Sequence, residues 1–170
     1  TINFGIVYGM SGFRLANDLS ISRKMANAYI DNYFKRYSGV KKYIDNTIKE
    51  TKKTGEVHTI FGRKRRLDDI NSSNVNIRNF AQRAAVNTPI QGSAADLIKL
   101  AMIKMDAALK KNELASRMLL SVHDEIIFET PVEEKDQLLD LAKSVMEHVH
   151  PLKVPLEVNF GSGENWAQAH

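Results

Sequence analysis

Apolar residues recur at three- and four-residue steps between residues 20 and 38. Met25, Ala26, Tyr29, Ile30, Tyr33 and Tyr37 fall on one side of a predicted helix opened by Ser20-Ile21-Ser22-Arg23. A second helical pattern runs from about Val40 to Lys53, with Tyr43, Ile44 and Ile48 on its apolar side and Gly55 placed to end it as a left-handed cap. Val57-His58-Thr59-Ile60-Phe61 alternates as a strand does, and Gly62 then turns the chain into a basic loop, Arg63-Lys64-Arg65-Arg66. The polar stretch Asn71-Ser72-Ser73-Asn74 precedes the longest predicted helix, residues 75–111. Residues 117–129 read as a β-hairpin whose strands are apolar on both faces, as buried central strands are. Thr130-Pro131-Val132-Glu133 has the form of a capping box with proline at the first helical position, and the helix continues through Leu138, Leu141, Ala142, Val145 and Val149. Val154 to Phe160 predicts a last strand, and Gly161-Ser162-Gly163-Glu164-Asn165-Trp166 turns the chain to its end. The fold class is α+β.

Two places break these patterns. Arg83, Asn87 and Gln91 are spaced by four and stack along one face of the long helix, each about 6 Å above the last. Ala94, Leu97, Ile98, Ala101 and Met105 continue almost the same stripe, so the polar row is expected to extend a buried side. Long hydrogen-bonding side chains there point to a wet cleft for a ligand, ahead of internal polar contacts. Pro89 sits among them and removes a backbone donor. The second break is the hairpin tip, His123-Asp124-Glu125, which lacks the glycine that short hairpin turns prefer. Two carboxylates and an imidazole between apolar strands are a local inconsistency of the kind found at functional sites.

Composition narrows the classes. The 170 residues include no cysteine, which excludes disulfides, thiolate metal sites and a thiol nucleophile and fits a cytoplasmic location. No apolar run approaches the ~20 residues of a membrane span, so no membrane partner is expected. The net charge of +4 is unevenly spread: residues 1–83 hold 16 basic and 7 acidic residues, residues 84–170 hold 8 and 13. A basic half beside an acidic half suits a polyanion held on one side and cations managed on the other. The tetrad Arg63, Lys64, Arg65 and Arg66 reads as a phosphate-contacting loop or a solvated one. Asp68-Asp69 is a rival acidic pair, better suited to loop ion pairs with those cations than to a metal. Thr1 opens directly on a patterned segment, which predicts a piece of a longer chain.

Four motifs, in order, resemble family A DNA polymerases, the bacterial DNA polymerase I type. Phe4-Gly5-Ile6-Val7-Tyr8-Gly9 is similar to the end of the family's nucleotide-binding motif, and Val122-His123-Asp124-Glu125 to its catalytic carboxylate motif. The stretch Ala81 to Gly92, with Arg83, Asn87 and Gln91, resembles the helix that tracks the template–primer, and Gly161 to Trp166 resembles the C-terminal tail. The resemblance covers the whole chain. It implies a C-terminal fragment with residues 1–78 from the fingers and 79–170 from the palm, the palm carrying an antiparallel hairpin packed on long helices. The implied activity of the parent is template-directed DNA synthesis with two Mg²⁺ ions, on template–primer DNA and deoxynucleoside triphosphates. Asp124 and Glu125 are the implied catalytic metal ligands, Phe4 and Tyr8 the nucleotide-binding residues, and His123, Arg83, Asn87, Gln91 and the tetrad the DNA contacts. Gly5 and Gly9 are expected to leave room for a base pair.

The alternative is a non-catalytic DNA-binding module on the same fold. Single-subunit RNA polymerases share much of the architecture; the His123-Asp124-Glu125 tip and the tail favour DNA. Asp68 stands where the family commonly has proline. The family's triphosphate-binding lysine and its other carboxylate motif lie outside the chain, in an N-terminal part the fragment needs, so the isolated chain is expected to be inactive.

Overall fold

The computed structural model describes residues 2–169, the side chains of Ile2 and Phe4 excepted. The fold is α+β, with helices and, among the described residues, two antiparallel two-stranded sheets. It divides into two compact units, the first ending at Ser93 and the second starting at Ala94. Among the described residues, no helix is long and apolar enough to cross a membrane.

The first unit opens with helix α1 (Ile2–Val7) and helix α2 (Gly12–Leu19), the latter capped by Ser11, whose Oγ accepts from the Arg14 amide at 3.3 Å. Helix α3 (Arg23–Arg36) is capped in the same way by Ser22, from the Met25 amide at 3.2 Å. The helix expected from Ser20 therefore starts three residues later. Ser20 instead ends α2 in a left-handed conformation, φ 53°. Leu15, Ala16 and Ala26 form a buried cluster beneath Met10, Ile21 and Ile30. Helix α4 (Ser38–Thr54) ends at Gly55 with φ 74°, as its sequence predicts.

Strands β1 (Glu56–His58) and β2 (Lys64–Arg66) form a hairpin with Glu56 opposite Arg66 and His58 opposite Lys64. The strand expected to reach Phe61 stops at His58, because the Gly62 amide bonds the Thr59 carbonyl at 3.0 Å and closes a turn there. The expected basic loop is mostly strand. Helix α5 (Val75–Lys111) has the predicted bounds, with Pro89 inside it. In this unit, Ala81 and Ala85 of α5 pack on Val57, Leu67 and Ile70, and the Tyr43 hydroxyl of α4 donates to the Val86 carbonyl at 3.1 Å. Small side chains let the hairpin come close on that side. At 100° per residue, Arg83, Asn87 and Gln91 lie roughly opposite it. The polar row thus does not extend a buried side here; Arg83 and Gln91 are exposed and Asn87 is half-buried.

In the second unit, Met105 and Leu109 of α5 meet Leu138 and Ala142 of helix α6 (Lys135–Glu147), and Met118 and Phe128 pack against them. Each fully buried Leu or Met contributes roughly 1.5–3 kcal/mol. Met118 and Phe128 come from the hairpin of β3 (Arg117–Val122) and β4 (Glu125–Glu129). This hairpin is not buried on both faces: Leu119 is 56% and Leu120 44% exposed. Leu119 falls at a register shift between the Met118–Phe128 and Leu120–Ile127 pairs, while Met118 and Phe128 turn to the core. The capping box does not form either. Val132–Glu134 is a 3-10 turn, and the Thr130 hydroxyl pairs with that of Ser116 at 2.6 Å. Residues 154–160 form no strand: the Val158 amide donates to the Glu147 carboxylate at 3.3 Å, not to a ladder. The chain closes with helix α7 (Trp166–Ala169), where Asn165 Oδ1 accepts from the Gln168 amide.

Candidate functional site

The second unit presents the hairpin tip. Val122 pairs with Glu125, so the turn is His123-Asp124 alone and Glu125 opens β4, one residue earlier than the three-residue tip expected. His123 supplies the left-handed conformation that a two-residue turn needs, φ 54°, where glycine or asparagine is usual. A histidine held there is strained, and strain of this kind gathers at functional positions. Asp124 is exposed and makes no hydrogen bond or ion pair among the described residues. Glu125 is half-buried.

Glu134 fixes the base of this hairpin. Its carboxylate accepts from the Ser116 hydroxyl at 2.6 Å and from the Ala115 and Ser116 amides at 2.9 Å each. The Ser116 hydroxyl, followed by the Ala115 amide, holds the Glu134 carboxyl below the usual carboxylate range. A depressed folded pKa stabilises above the unfolded value of about 4.3 and loses that contribution as pH falls through the folded one. Glu134→Gln is therefore expected to lower the urea midpoint at neutral pH. The gap to the parent chain should narrow as both are acidified below the glutamate range. A gap that stays constant in urea titrations across that range would contradict the clamp.

The first unit presents the polar row. Gly9 follows α1 at φ 84°, and a Cβ there would lie 3.2–3.3 Å from Cγ and Cδ of Arg83. The turn after α1 thus rests on the Arg83 stem, which aligns the end of the Phe4–Tyr8 segment with the row on α5. The space beside Gly5 is taken by Met10. Beside both glycines lie this chain's own side chains. Tyr8 is half-buried just beyond α1; the Phe4 backbone lies in α1 and its side chain lies outside the described residues. On α5, Asn87 Oδ1 is buried with no hydrogen-bond partner among the described residues. Such an acceptor costs about 1–3 kcal/mol until a donor reaches it.

The basic tetrad splits by strand alternation. Arg63 Nη2 donates to the Gly92 carbonyl at 3.0 Å and Arg65 Nη1 to the Thr88 hydroxyl at 3.1 Å, both on α5. Lys64, pointing the other way, lies 3.9 Å from Glu56, and Arg66 is exposed. Asp68 and Asp69 make no ion pair among the described residues, so the expected loop pairs do not form. No group of three or more His, Asp or Glu side chains there is gathered to hold a metal. Sequence reading missed Glu134, Thr88 and Ser93 as organising residues. The Gly92-Ser93 pair shortly after Pro89 was the available signal.

Residues 1–168 match the family model described as DNA polymerase family A. The chain is 49% identical over 168 residues to DNA polymerase I of Lactococcus lactis subsp. lactis (strain IL1403), covering 99% of this chain and 19% of that protein. It is 52% identical over 168 residues to DNA polymerase I of Bacillus subtilis (strain 168), again 99% of this chain and 19% of the relative. It therefore spans about a fifth of the length of these relatives. Among solved structures, the POL domain of Pol1 from M. smegmatis, in complex with DNA primer-template and dNTP, superposes with a TM-score of 0.95 at 44% identity. That match covers 99% of this chain and 30% of the other.

Proposed function

The chain belongs to DNA polymerase family A, and on that premise we propose that it is part of an enzyme that adds deoxynucleotides to a primer 3′-end as a template directs. Residues 1–78 belong to the fingers and residues 79–170 to the palm in this reading. The observation that carries it is Asp124, an exposed carboxylate with no hydrogen bond or ion pair among the described residues, on a two-residue turn whose hairpin is clamped at its base.

An unengaged carboxylate on a rigid tip fits Mg²⁺, which takes one or two carboxylates and completes its shell with water and phosphate oxygens. Two such ions, when bound, supply Lewis-acid stabilisation of the attacking and leaving oxygens. Asp124 is one ligand, Glu125 a neighbouring or outer one, and the remaining carboxylate comes from the part of the polymerase outside this chain. The clamp at Glu134 holds the base of the hairpin that carries Asp124. His123 hydrogen-bonds the primer terminus.

Phe4 and Tyr8 pack on the incoming nucleotide and the template base. Asn87 and Gln91 read minor-groove acceptors that all base pairs share by donating through their amide nitrogens, which checks pair geometry and not sequence. Arg83, Lys64 and Arg66 meet phosphates, with Arg63 and Arg65 beside them on the same hairpin. The same reading places the enzyme in the cytoplasm, with template–primer DNA and deoxynucleoside triphosphates as partners.

Primer extension by the polymerase that contains this chain tests the reading. With each of the four bases as template in turn, only the complementary nucleotide should be added, and only with a divalent cation. Duplex binding without any addition would leave the non-catalytic DNA-binding module instead.

A further inference from the structure

We propose that the β1–β2 hairpin is a splint across the proline interruption of α5, with Ser93 as its rivet. By gripping the helix from behind, it positions Asn87 and Gln91 to check base-pair geometry, a function that rests on the reading of that row given above.

Pro89 has no amide proton, so the helix loses one hydrogen bond in the turn that contains Asn87, and a mid-helix proline costs about 3 kcal/mol or more when nothing compensates it. That lost bond is the one residue 89 would make to the Ala85 carbonyl; the hairpin does not replace it but braces the turn that follows. The Ile60 amide donates to Ser93 Oγ at 3.0 Å, and the Ser93 hydroxyl donates in turn to the Pro89 carbonyl. Arg63 and Arg65 add their bonds to the Gly92 carbonyl and the Thr88 hydroxyl. Ser93 is only 7% exposed. Gly92 sets how close the hairpin can come: a Cβ there would lie 2.7 Å from Thr59 Cγ2.

All these contacts land on residues 88–93, the turn and a half that brackets the proline. At 100° per residue, Thr88, Pro89, Gly92 and Ser93 centre roughly opposite Asn87 and Gln91. The grip therefore lies off the polar row. A helix that must present two amides at fixed height and angle to a duplex gains from rigidity where proline has removed it. The hairpin supplies that rigidity without occupying the reading face. Two of the four basic residues of the hairpin thereby gain a positioning role on α5.

The test uses the polymerase that contains this chain, comparing Ser93→Ala with Ser93→Thr, which keeps the hydroxyl. Losing one buried hydrogen bond should speed amide exchange across residues 85–93 about fivefold, and threonine should restore protection. In parallel, extension from a mispaired primer terminus, relative to a matched one, should rise by about the same factor in Ser93→Ala. The KM for the nucleotide on a matched primer should not move. Thr88→Val, which removes the Arg65 acceptor and keeps the shape, should act in the same direction and serves if Ser93→Ala fails to fold.

Unchanged exchange across residues 85–93 in both variants overturns the splint. Faster exchange with an unchanged mispair ratio overturns the positioning role. Gln91→Ala separates the two layers: if it too leaves the mispair ratio unchanged, the reading of the row fails, and the exchange measurement alone decides on the splint.

Discussion

Asp124→Asn is expected to lower the single-turnover rate of nucleotide addition by on the order of a thousandfold while leaving primer–template affinity within about twofold, in the polymerase that contains this chain. The two side chains have the same shape, so the His123-Asp124 turn keeps its form. Asp124 makes no hydrogen bond or ion pair among the described residues, so the exchange removes nothing that holds the hairpin together. What it removes is one negative charge at the point proposed to bind the cation. Loss of several kcal/mol of transition-state stabilisation corresponds to a factor of that order. The proposed phosphate contacts lie elsewhere, on Lys64, Arg66 and Arg83, and in that reading carry the affinity. A variant that keeps more than about a tenth of the parent rate would remove Asp124 from the chemistry.

The next largest effect is expected at Phe4. In the proposed reading Phe4 faces the sugar of the incoming nucleotide, and phenylalanine offers it no hydroxyl. A tyrosine could donate a hydrogen bond to the phosphate in place of the 3′-hydroxyl that a dideoxynucleotide lacks. Hydrogen bonds to charged acceptors contribute roughly 1.5–3 kcal/mol, so Phe4→Tyr should weaken discrimination against dideoxynucleotides by about 10- to 150-fold. Competition between the two nucleotide types on one template measures this. Unchanged ratios would take Phe4 out of the sugar pocket.

Features set by a few neighbouring residues were legible in the sequence. The end of α4 at Gly55 and the span of α5 follow from capping and periodicity over one or two turns. Asp124 stood out because its turn lacks glycine, and His123 answers that lack by taking the left-handed conformation itself. Features that depend on distant partners were not legible. Leu119 and Leu120 look like core residues, yet their exposure depends on which strands lie beside β3. Residues 154–160 alternate well enough for a strand, but a strand exists only with a neighbour to bond. The basic tetrad appeared as one patch until pairing with β1 turned alternate residues to opposite sides. Ser93 meets Ile60 across 33 positions, a contact that no local pattern announces. The spacing of the polar row is plain in the sequence but its surroundings are not, because the small-residue face of Ala81 and Ala85 takes the hairpin instead.

Cation binding at Asp124 is measured most directly by titrating Mn²⁺ into the polymerase held with a dideoxy-terminated primer–template and the next nucleotide, followed by electron paramagnetic resonance. The chemistry cannot proceed there, so occupancy is read apart from turnover. The parent enzyme should bind two ions, and Asp124→Asn should lose one of them or bind it at least tenfold more weakly. The same two ions, bound equally tightly by the variant, would contradict the assignment of Asp124 as a metal ligand.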